Sequence, residues 1–484
     1  MISFRDVLKL PKVYKTFVIA QTREKHRPDH WSVVRKKVHP IHKALDHFDD
    51  FYNQVFGKKW KEIRTGLLGK QKYVAVVNNY SDSSSICKKL EYGGALNIRK
   101  LFNLEKDYIE ERYTESKRLR NLLKIWEKEK KLGNNANEAP NEEVENTNFE
   151  NLSLENSLKG AEIDSDRIID VRYASTSEVL QEFVPATELK GKEDFIPESS
   201  HYEYYDANTN ITVKIEREFD IHFPENLNVY SYEIENDSSF KSPQVGSTEV
   251  FDYYLMDGGS ILPVLALDLR PNDTFLDMCA APGGKSLLAL QTLYPSLVTS
   301  NDCSKSRVDR IYNVFNQFLF DFDKNFLKTN KVMLSQNDGR FIKCDPYDKI
   351  LVDVPCTTDR HSLKENDNNI FKPSRIKERL KLPEFQSELL FNALCLVKKG
   401  GIVVYSTCSL SPIQNDGVIH MTLKKIWEET KMEIIVKDLT PALLQARCLY
   451  QLASPKLMKY GHLVLPCNAQ NFGPTYFCKL QRIN

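Results

Sequence analysis

The chain has 484 residues, of which 27% are charged and 41% hydrophobic, and its formal net charge is +1. This length predicts two or three domains, and the small net charge means that any basic surface for a nucleic acid must be local. No apolar run is long enough to span a membrane. The ten cysteines include no C-x-x-C pair, so neither a disulfide framework nor a structural zinc site is expected, and the thiols are expected to be reduced.

The first 40 residues are locally basic, and aliphatic and aromatic residues alternate with the lysines and arginines. This pattern is typical of a mitochondrial targeting peptide. A basic arm on a folded domain fits the composition equally well. Asp6, Glu24 and the shortage of serine weigh against a targeting peptide.

Residues 41–131 are predicted to form a helical N-terminal region. Apolar residues recur at helical spacing over 42–56, 60–68 and 108–126. The basic run 117–131 could contact phosphates, although a solvated helix face is the commoner explanation of such a run.

The composition changes after this helical region. Residues 132–166 are rich in Asn, Glu, Ser and Gly, which predicts a disordered acidic linker without a site. Residues 167–250 contain short β-like pieces at 210–215 and 228–232, separated by prolines. The aromatic run 201–205 could stack on bases, but packing is the commoner role for such side chains.

From residue 251 the pattern is that of an α/β domain, which extends to residue 484. Strand patterns recur at 274–277, 297–301, 331–334, 349–353 and 402–406. Helical patterns lie between them at 286–293, 305–319 and 383–396. This alternation predicts a doubly wound, mostly parallel sheet. Strands at 432–437, 462–465 and 475–480 would complete the sheet, with the last one antiparallel.

A glycine-containing loop, 279–285, follows the first of these strands. Gly283 and Gly284 allow the backbone to approach a ligand closely, and the start of the next helix offers free N–H groups. Residues 284–286 resemble the end of a P-loop, but Cys279 stands where that motif needs its first glycine. The fingerprint G-x-G-x-x-G is also absent, so a nicotinamide cofactor is not predicted.

Aspartates lie at or just after the ends of the next strands. Asp302 stands 18 residues after Gly284, where an acidic side chain can accept hydrogen bonds from ribose hydroxyls. Asp338 follows the third strand and Asp353 ends the fourth. A single aspartate of this kind is usually a cap or a turn residue. Three of them beside a glycine loop predict a cofactor that contains a nucleoside.

Two cysteines lie directly after predicted strands. Cys356 follows the apolar run 349–352 and Cys408 follows 402–405. A free cysteine is often a small buried hydrophobic residue. That explanation is poor for these two, because both are in polar loops at the edge where the cofactor loop is expected.

The segments 277–285, 353–356 and 407–409 together resemble the Sun-domain family of S-adenosylmethionine-dependent RNA cytosine-5 methyltransferases. Further segments resemble the members that act on mitochondrial ribosomal RNA, namely 183–187, 257–260, 354–362, 369–371 and 471–478. Met256 departs from the glutamine that many relatives carry. The resemblance implies a seven-stranded, Rossmann-like methyltransferase sheet, S-adenosylmethionine as cofactor and a location in the mitochondrial matrix.

The resemblance also assigns catalytic roles. Cys408 would add to C6 of a cytosine, which activates C5 for methylation, and Cys356 would assist release of the product. Asp353 would bind the N3/N4 edge of the base. Activation of the thiol needs a nearby positive group, and the candidates are Lys285, Arg360 and Lys364.

The cofactor residues implied by the resemblance form a larger set. They are Gly283, Gly284 and Lys285 beside the methionine and ribose, Asp302 on the ribose hydroxyls with Arg307 nearby, Asp338 and Gly339 at the adenine, and Asp353 between cofactor and base. Whether Lys285 orients the base or holds the cofactor carboxylate stays open at this stage.

Three other functions remain compatible with the sequence. DNA methylation through Cys356 is disfavoured by the presence of Cys408 and by the basic helical front half. Transfer RNA could be the substrate instead of ribosomal RNA. The protein could also be a ribosome-assembly scaffold whose methylation is incidental. By resemblance, a helical-repeat partner of the mitochondrial transcription-termination-factor type could supply additional RNA affinity.

Overall fold

The computed structural model describes residues 39–112, 117, 213–343 and 346–484. The expectations for the basic segment 1–38, for the basic run beyond residue 117, for the linker 132–166 and for residues 167–212 lie outside the described residues. Within the described part of the chain, no helix has the length and apolar character needed to cross a bilayer.

The strands are numbered in chain order as follows: β1 (Tyr73–Val77), β2 (Leu96–Asn97), β3 (Lys214–Arg217), β4 (Val229–Ser231), β5 (Tyr253–Asp257), β6 (Thr274–Asp277), β7 (Leu297–Asn301), β8 (Val332–Ser335), β9 (Tyr347–Asp353), β10 (Val397–Thr407), β11 (Ile434–Asp438), β12 (His462–Val464) and β13 (Thr475–Arg482). The helices are α1 (Pro40–Phe56), α2 (Trp60–Leu68), α3 (Ser83–Tyr92), α4 (98–112), α5 (Ile261–Ala266), α6 (Gly284–Gln291), α7 (Lys305–Phe318), α8 (Asp359–Lys364), α9 (Ile376–Leu396) and α10 (Val418–Glu429).

The N-terminal region contains the expected helices α1 and α2. Buried side chains recur every four residues along α1, at Ala44, Phe48, Tyr52 and Phe56, and form the apolar stripe that a surface helix needs. This stripe packs on the large sheet domain, where Phe48 and Phe371 lie with their ring centroids 5.2 Å apart. Helix α1 is therefore packed against the domain that contains the large sheet.

A small antiparallel sheet of order β2-β4-β1-β5 also lies in the front half. Strand β1 falls inside the region predicted to be helical, so that description of residues 41–131 is incomplete. The run Tyr73–Val77 is rich in β-branched and aromatic residues, which favour a strand. Strand β5 pairs with β1 and is followed in the chain by α5 and then β6, so α5 connects the small sheet to the large one.

The large sheet has the order β3-β11-β13-β10-β9-β6-β7-β8, and β12 pairs with β13. The pairs from β10 through β8 are parallel, and β13 is antiparallel to its neighbours β10 and β11. The doubly wound, mostly parallel sheet and its antiparallel last strand are confirmed. Seven of the eight expected strands form the part of the sheet from β11 to β8. The eighth, expected at 462–465, is β12, which pairs with β13 beside that series, and β3 extends the sheet next to β11.

Alternate residues of the central strand β6 face opposite layers of helices. Phe275 belongs to the hydrophobic cluster that includes Leu287 of α6 and Ile311 of α7. Its neighbour Leu276 belongs to the other cluster, which includes Phe48 of α1, Leu389 of α9 and Ile419 of α10. This alternation is what a strand buried on both faces requires.

Helix α9 begins earlier than its sequence predicts. The helical pattern predicts a start at residue 383, but the helix begins at Ile376 and contains Pro383 in its interior. An internal proline costs about 3 kcal/mol. Burial of Leu382, Leu389 and Leu390 on this helix, at about 2 kcal/mol for each side chain, offsets that cost.

Candidate active site

The two cysteine loops meet at one edge of the large sheet. Strands β9 and β10 are parallel neighbours in which Asp353 lies opposite Ser406, so the loops that follow them leave the sheet side by side. The Sγ atoms of Cys356 and Cys408 are 3.1 Å apart. That separation exceeds the roughly 2.05 Å of a disulfide, so the two side chains are free thiols in contact.

The environments of these thiols differ. Cys356 is buried, with 6% of its surface exposed, and its sulfur accepts a hydrogen bond from the backbone N–H of Thr358 at 3.4 Å. Cys408 is exposed and lines a cavity. A molecule in the cavity therefore meets the Cys408 sulfur first, with Cys356 directly behind it.

Lys285 and Asp353 connect the glycine loop with the cysteine loops. The Nζ atom of Lys285 lies 2.7 Å from Oδ2 of Asp353, and Ser406 Oγ donates to Asp353 Oδ1 at 2.7 Å. Burial lowers the pKa of Lys285, but the charge and hydrogen bond of Asp353 outweigh this effect and raise the pKa above its ordinary value. Lys285 is therefore a cation at the centre of the site.

The Cys408 thiol has a raised pKa in this structure. The hydrogen-bonded Cys356 thiol has the largest effect on the pKa, desolvation adds to it, and the charge of Lys285 opposes both. Of the three cations considered from the sequence, Lys285 is the one that lowers the pKa of Cys408. Arg360 is instead bonded to Gly473 O, Gly66 O and Asn471 Oδ1, and Lys364 donates to Gly69 O at 2.8 Å.

The glycine loop has the backbone that its sequence predicts. Gly283 has φ of +108° and caps the start of α6, a conformation that costs little only for glycine. A Cβ atom on Gly284 would lie 3.0 Å from the ring of Tyr254, so this position must also be small. The first turn of α6 thus presents its N–H groups at the carboxyl edge of the sheet.

Asp302 lies beside this turn. It is 2% exposed and its Oδ2 is 3.2 Å from Nη2 of Arg307, while its Oδ1 accepts a hydrogen bond from the N–H of Ser304 at 3.1 Å. Arg307 also donates to Ala281 O at 3.4 Å. The structure therefore brings Asp302, Arg307 and the glycine loop together, as the sequence predicts.

Asp338 and Gly339 make close contacts within the protein. The Asp338 carboxylate binds Arg340, with Nη2 and Oδ2 2.8 Å apart, and this hydrogen bond lowers the pKa of Asp338. A Cβ atom on Gly339 would lie 2.7 Å from Leu389 Cδ2 and 2.8 Å from Met278 Cγ. The glycine is thus needed for packing, and contact of these two residues with an adenine stays a prediction.

Three aspartates, Asp277, Asp302 and Asp353, lie on the cofactor side of the site. Asp277 is fully buried, and Ser286 Oγ donates to its Oδ2 at 2.7 Å. Its Oδ1 is one of the buried oxygen atoms with no hydrogen-bond partner among the described residues. Desolvation, with smaller contributions from Asp353 and Asp302, raises the pKa of Asp277 to about 7. An edge with three aspartates beside an open glycine turn fits a nucleoside ligand.

A cavity of about 960 Å³ opens over Cys408. Lys285, Asp353 and Cys408 line it, whereas Gly283, Asp302 and Asp338 do not. Its other walls come from residues 69–73 of the front half, 231–240 of the small sheet region, 358–365 after Cys356, and 468–474 near the C-terminus. The cavity is therefore the substrate side of the site, and the front half builds part of it.

Some residues of the site were missed by sequence reasoning. The Asp257 carboxylate accepts the N–H of Gly473 at 3.0 Å to both of its oxygens, and Asp359 is fully buried between the cysteine loops. In the sequence, Asp257 was noted only as part of the segment 257–260, which resembles the members that act on mitochondrial ribosomal RNA. Asp359 follows Cys356 by three residues, but spacing does not reveal that its side chain points inward.

Comparison with known proteins gives consistent matches. The family described as 16S rRNA methyltransferase RsmB/F matches residues 264–449. The "5-cytosine rRNA methyltransferase nsun-4" of Caenorhabditis elegans is 32% identical over 92% of this chain and 92% of its own length. The "5-cytosine rRNA methyltransferase NSUN4" of Mus musculus is 32% identical over 94% of this chain and 92% of its own length. The mitochondrial "tRNA (cytosine(34)-C(5))-methyltransferase" of Danio rerio is 36% identical over 48% of this chain and 61% of its own length.

Proposed function

Because this chain belongs to the RsmB/F family of S-adenosylmethionine-dependent RNA cytosine-5 methyltransferases, we propose that it methylates a cytosine of mitochondrial small-subunit ribosomal RNA through a covalent adduct with Cys408. The observation that carries this proposal is the 3.1 Å contact between the sulfur atoms of Cys408 and Cys356. This contact lies beside the ion pair of Lys285 and Asp353, and Cys408, Lys285 and Asp353 line the same cavity.

Cys408 is the nucleophile in this mechanism because its sulfur faces the cavity. Bond formation between Cys408 Sγ and C6 of the cytosine breaks the aromaticity of the ring and raises the electron density at C5, the atom to be methylated. The thiolate is the reactive form of a cysteine. Lys285 favours that form, since its charge lowers the pKa of the thiol against the effects of Cys356 and desolvation.

Cys356 acts after methylation. The C5 proton must then leave and the bond between C6 and Cys408 must break, which restores the aromatic ring and the free Cys408 thiolate. Cys356 is held behind Cys408 by the backbone of Thr358, close enough to exchange a proton at that place. Its substitution should therefore impair release of the product and leave adduct formation intact.

Asp353 and Lys285 form the polar part of the base pocket. The Asp353 oxygens are fixed by Lys285 and Ser406, so the carboxylate needs little reorganisation to accept a hydrogen bond from the N4 amino group or from a protonated N3. Negative charge there stabilises a positively charged adduct. The cytosine must be unpaired or turned out of its helix to reach this position.

The cofactor-facing residues fit S-adenosylmethionine, which supplies an electrophilic methyl group when bound. Asp302, positioned by Arg307, would hold the ribose hydroxyls. The glycine turn and Lys285 would lie beside the methionine end, and Asp338 with Gly339 would lie beside the adenine.

Ribosomal RNA is the proposed substrate because the ribosomal RNA methyltransferases match 92% or more of this chain, whereas the transfer RNA enzyme of Danio rerio matches 48%. From this substrate we also infer a mitochondrial location and a role in assembly of the mitochondrial ribosome. A helical-repeat protein of the transcription-termination-factor type would add RNA affinity outside the cavity.

The test separates the roles of the two cysteines. Wild-type protein, Cys356→Ser and Cys408→Ser are incubated with S-adenosylmethionine and RNA, and the protein–RNA adduct is scored on a denaturing gel. We expect the adduct to accumulate with Cys356→Ser and to be absent with Cys408→Ser. The reverse result would make Cys356 the nucleophile and would contradict the mechanism.

The substrate is tested separately. Bisulfite sequencing of total RNA from cells with and without this protein should show loss of one methylated cytosine in mitochondrial small-subunit ribosomal RNA. Loss in a transfer RNA instead would favour the second substrate. Normal ribosome assembly in cells that carry only Cys408→Ser would indicate that the assembly role does not need methylation.

A further inference from the structure

A buried carboxylate lies between the two cysteine loops. Asp359 has 0% of its surface exposed. Its Oδ2 accepts hydrogen bonds from Tyr52 OH and from the N–H of Leu410, both at 2.7 Å. Its Oδ1 accepts from Thr357 Oγ1 at 2.5 Å and from Ser409 Oγ at 3.2 Å.

These donors come from three separate parts of the chain. Thr357 directly follows Cys356, and Ser409 and Leu410 directly follow Cys408. Tyr52 lies on α1, 307 residues away in sequence from Asp359. The backbone N–H of Asp359 also lies 3.4 Å from the carbonyl oxygen of Cys408. One residue thus joins both cysteine loops and the N-terminal helix.

A carboxylate in this place is costly unless it is fully hydrogen-bonded. Desolvation raises the pKa of Asp359, and the hydrogen bonds from Leu410, Thr357, Tyr52 and Ser409 oppose that effect. When neutral groups donate to both oxygens of a carboxylate, their arrangement is restricted, because each donor must point at one of the two oxygens. The positions of the residues next to the two cysteines are therefore set by this group.

We propose that Asp359 is a positioning residue that fixes the distance between the thiols of Cys356 and Cys408, and that Tyr52 makes this distance depend on the docking of α1. Its effect on methylation rests on the function proposed above. Its effect on the thiols does not, because their spacing can be measured without RNA or cofactor.

Three substitutions remove the contacts in steps. Tyr52→Phe removes one donor and leaves the carboxylate in place. Asp359→Asn keeps a carbonyl oxygen for Leu410 and turns an amide toward Thr357 and Ser409, whose hydroxyls can rotate to accept it. Asp359→Ala removes every side-chain contact. Defects should therefore increase from Tyr52→Phe through Asp359→Asn to Asp359→Ala.

The first measurement is the bridging of the two thiols by dibromobimane, a short reagent that fluoresces when it joins two sulfur atoms. Mass spectrometry identifies the product that joins Cys356 to Cys408. We expect bridging to slow in the order given above. In the methylation assay kcat should fall about 100-fold for Asp359→Ala, as misplacement of reacting groups produces, and about tenfold for Asp359→Asn, with KM for RNA little changed.

Tyr230→Phe is the matched control, because Tyr230 of β4 is also buried and its hydroxyl donates to a carboxylate, that of Glu91 on α3, at 3.2 Å. It should leave bridging and kcat unchanged. If Asp359→Ala does not fold, the comparison of Asp359→Asn and Tyr52→Phe with this control decides the question.

Bridging at the wild-type level in both of these variants would overturn the proposal. Slower bridging with unchanged kcat would support the positioning of the thiols and contradict the expected effect on methylation. A wild-type protein that does not methylate RNA, but whose thiol bridging still depends on Asp359, would disprove the proposed function and leave the positioning of the thiols standing.

Discussion

The Nζ atom of Lys285 lies 2.7 Å from Oδ2 of Asp353. This ion pair joins the helix that follows the glycine turn to the strand that precedes Cys356, so the cofactor side and the substrate side share one charged contact. Because Asp353 is itself held by Ser406, the charge of Lys285 stays fixed near Cys408. The reactivity of the thiol is thereby linked to the geometry of the cofactor loop.

Replacement of Lys285 by methionine removes the cation that lowers the pKa of Cys408. The pKa should rise further, so alkylation of Cys408 by iodoacetamide should shift to higher pH. Loss of one fixed charge at a reacting centre should also lower kcat by about 100-fold. Lys398→Met is the control, because Lys398 pairs with Asp348 at 2.8 Å away from the cavity. Equal alkylation profiles for both variants would contradict the role of Lys285.

Replacement of Cys356 by alanine should have the opposite effect on the thiol. The Cys356 side chain is the largest cause of the raised pKa of Cys408, so its removal should lower that pKa. Alkylation of Cys408 should then extend to lower pH than in the wild type. Cys467→Ala serves as the control, because that buried thiol donates to Gln470 O at 3.2 Å and belongs to a different loop. An unchanged profile would argue against hydrogen bonding between the two thiols.

Asp277→Asn should change how stability depends on pH. The folded protein holds the pKa of Asp277 at about 7, above the value of about 3.9 in an unfolded chain. The protonated group thus contributes stability that is fully present below about pH 4 and is lost as the pH rises to 7. The loss should amount to roughly 1.4 kcal/mol per pH unit in that range.

Urea unfolding of wild type and Asp277→Asn at pH 5, 7 and 8 measures this difference. The stability of the variant relative to the wild type should increase from pH 5 to pH 7 and then level off. Asp348→Asn is the control: desolvation raises the pKa of Asp348, but hydrogen bonds from Lys398 and Thr274 outweigh it and lower the pKa below its ordinary value. The effect of this substitution on stability should therefore be constant from pH 5 to pH 8 and change only below about pH 4. A constant difference for Asp277→Asn would mean that its carboxylate is ionised throughout.

Gly283→Ala should cost about 1–2 kcal/mol of stability, because φ of +108° strains a residue with a Cβ atom. It should also weaken S-adenosylmethionine binding in isothermal titration calorimetry, since the turn must relax. Gly400→Ala is the matched control, with φ of +79° and open space around its Cβ position. That variant should lose stability without losing cofactor affinity. Equal affinity for S-adenosylmethionine in both variants would mean that Gly283 does not contribute to cofactor binding.

Local sequence pattern was sufficient for most of the large sheet. The apolar runs of β6 and β7 predict both strands with their observed bounds, and the alternation with helices predicts that they are parallel. The prediction failed at β1, whose β-branched run lies between helices, and at the start of α9. At β1 the local pattern does favour a strand, but the helical spacing of the flanking segments was extended across it. At α9 the burial of Leu382, Leu389 and Leu390 against distant residues decided where the helix begins, and no local pattern contains that packing.

The sequence by itself determined which loops carry the chemistry: the glycine turn, the strand-end aspartates and the two cysteines each follow a strand, and parallel strands place their carboxyl ends at one edge. Only the tertiary structure decided which of these side chains meet. The register of β9 against β10 sets two thiols 52 residues apart in contact, Arg340 binds the Asp338 carboxylate, and residues of the front half wall the cavity. Such contacts depend on long-range packing to within about an ångström, whereas strand and turn preferences depend on neighbours in the chain.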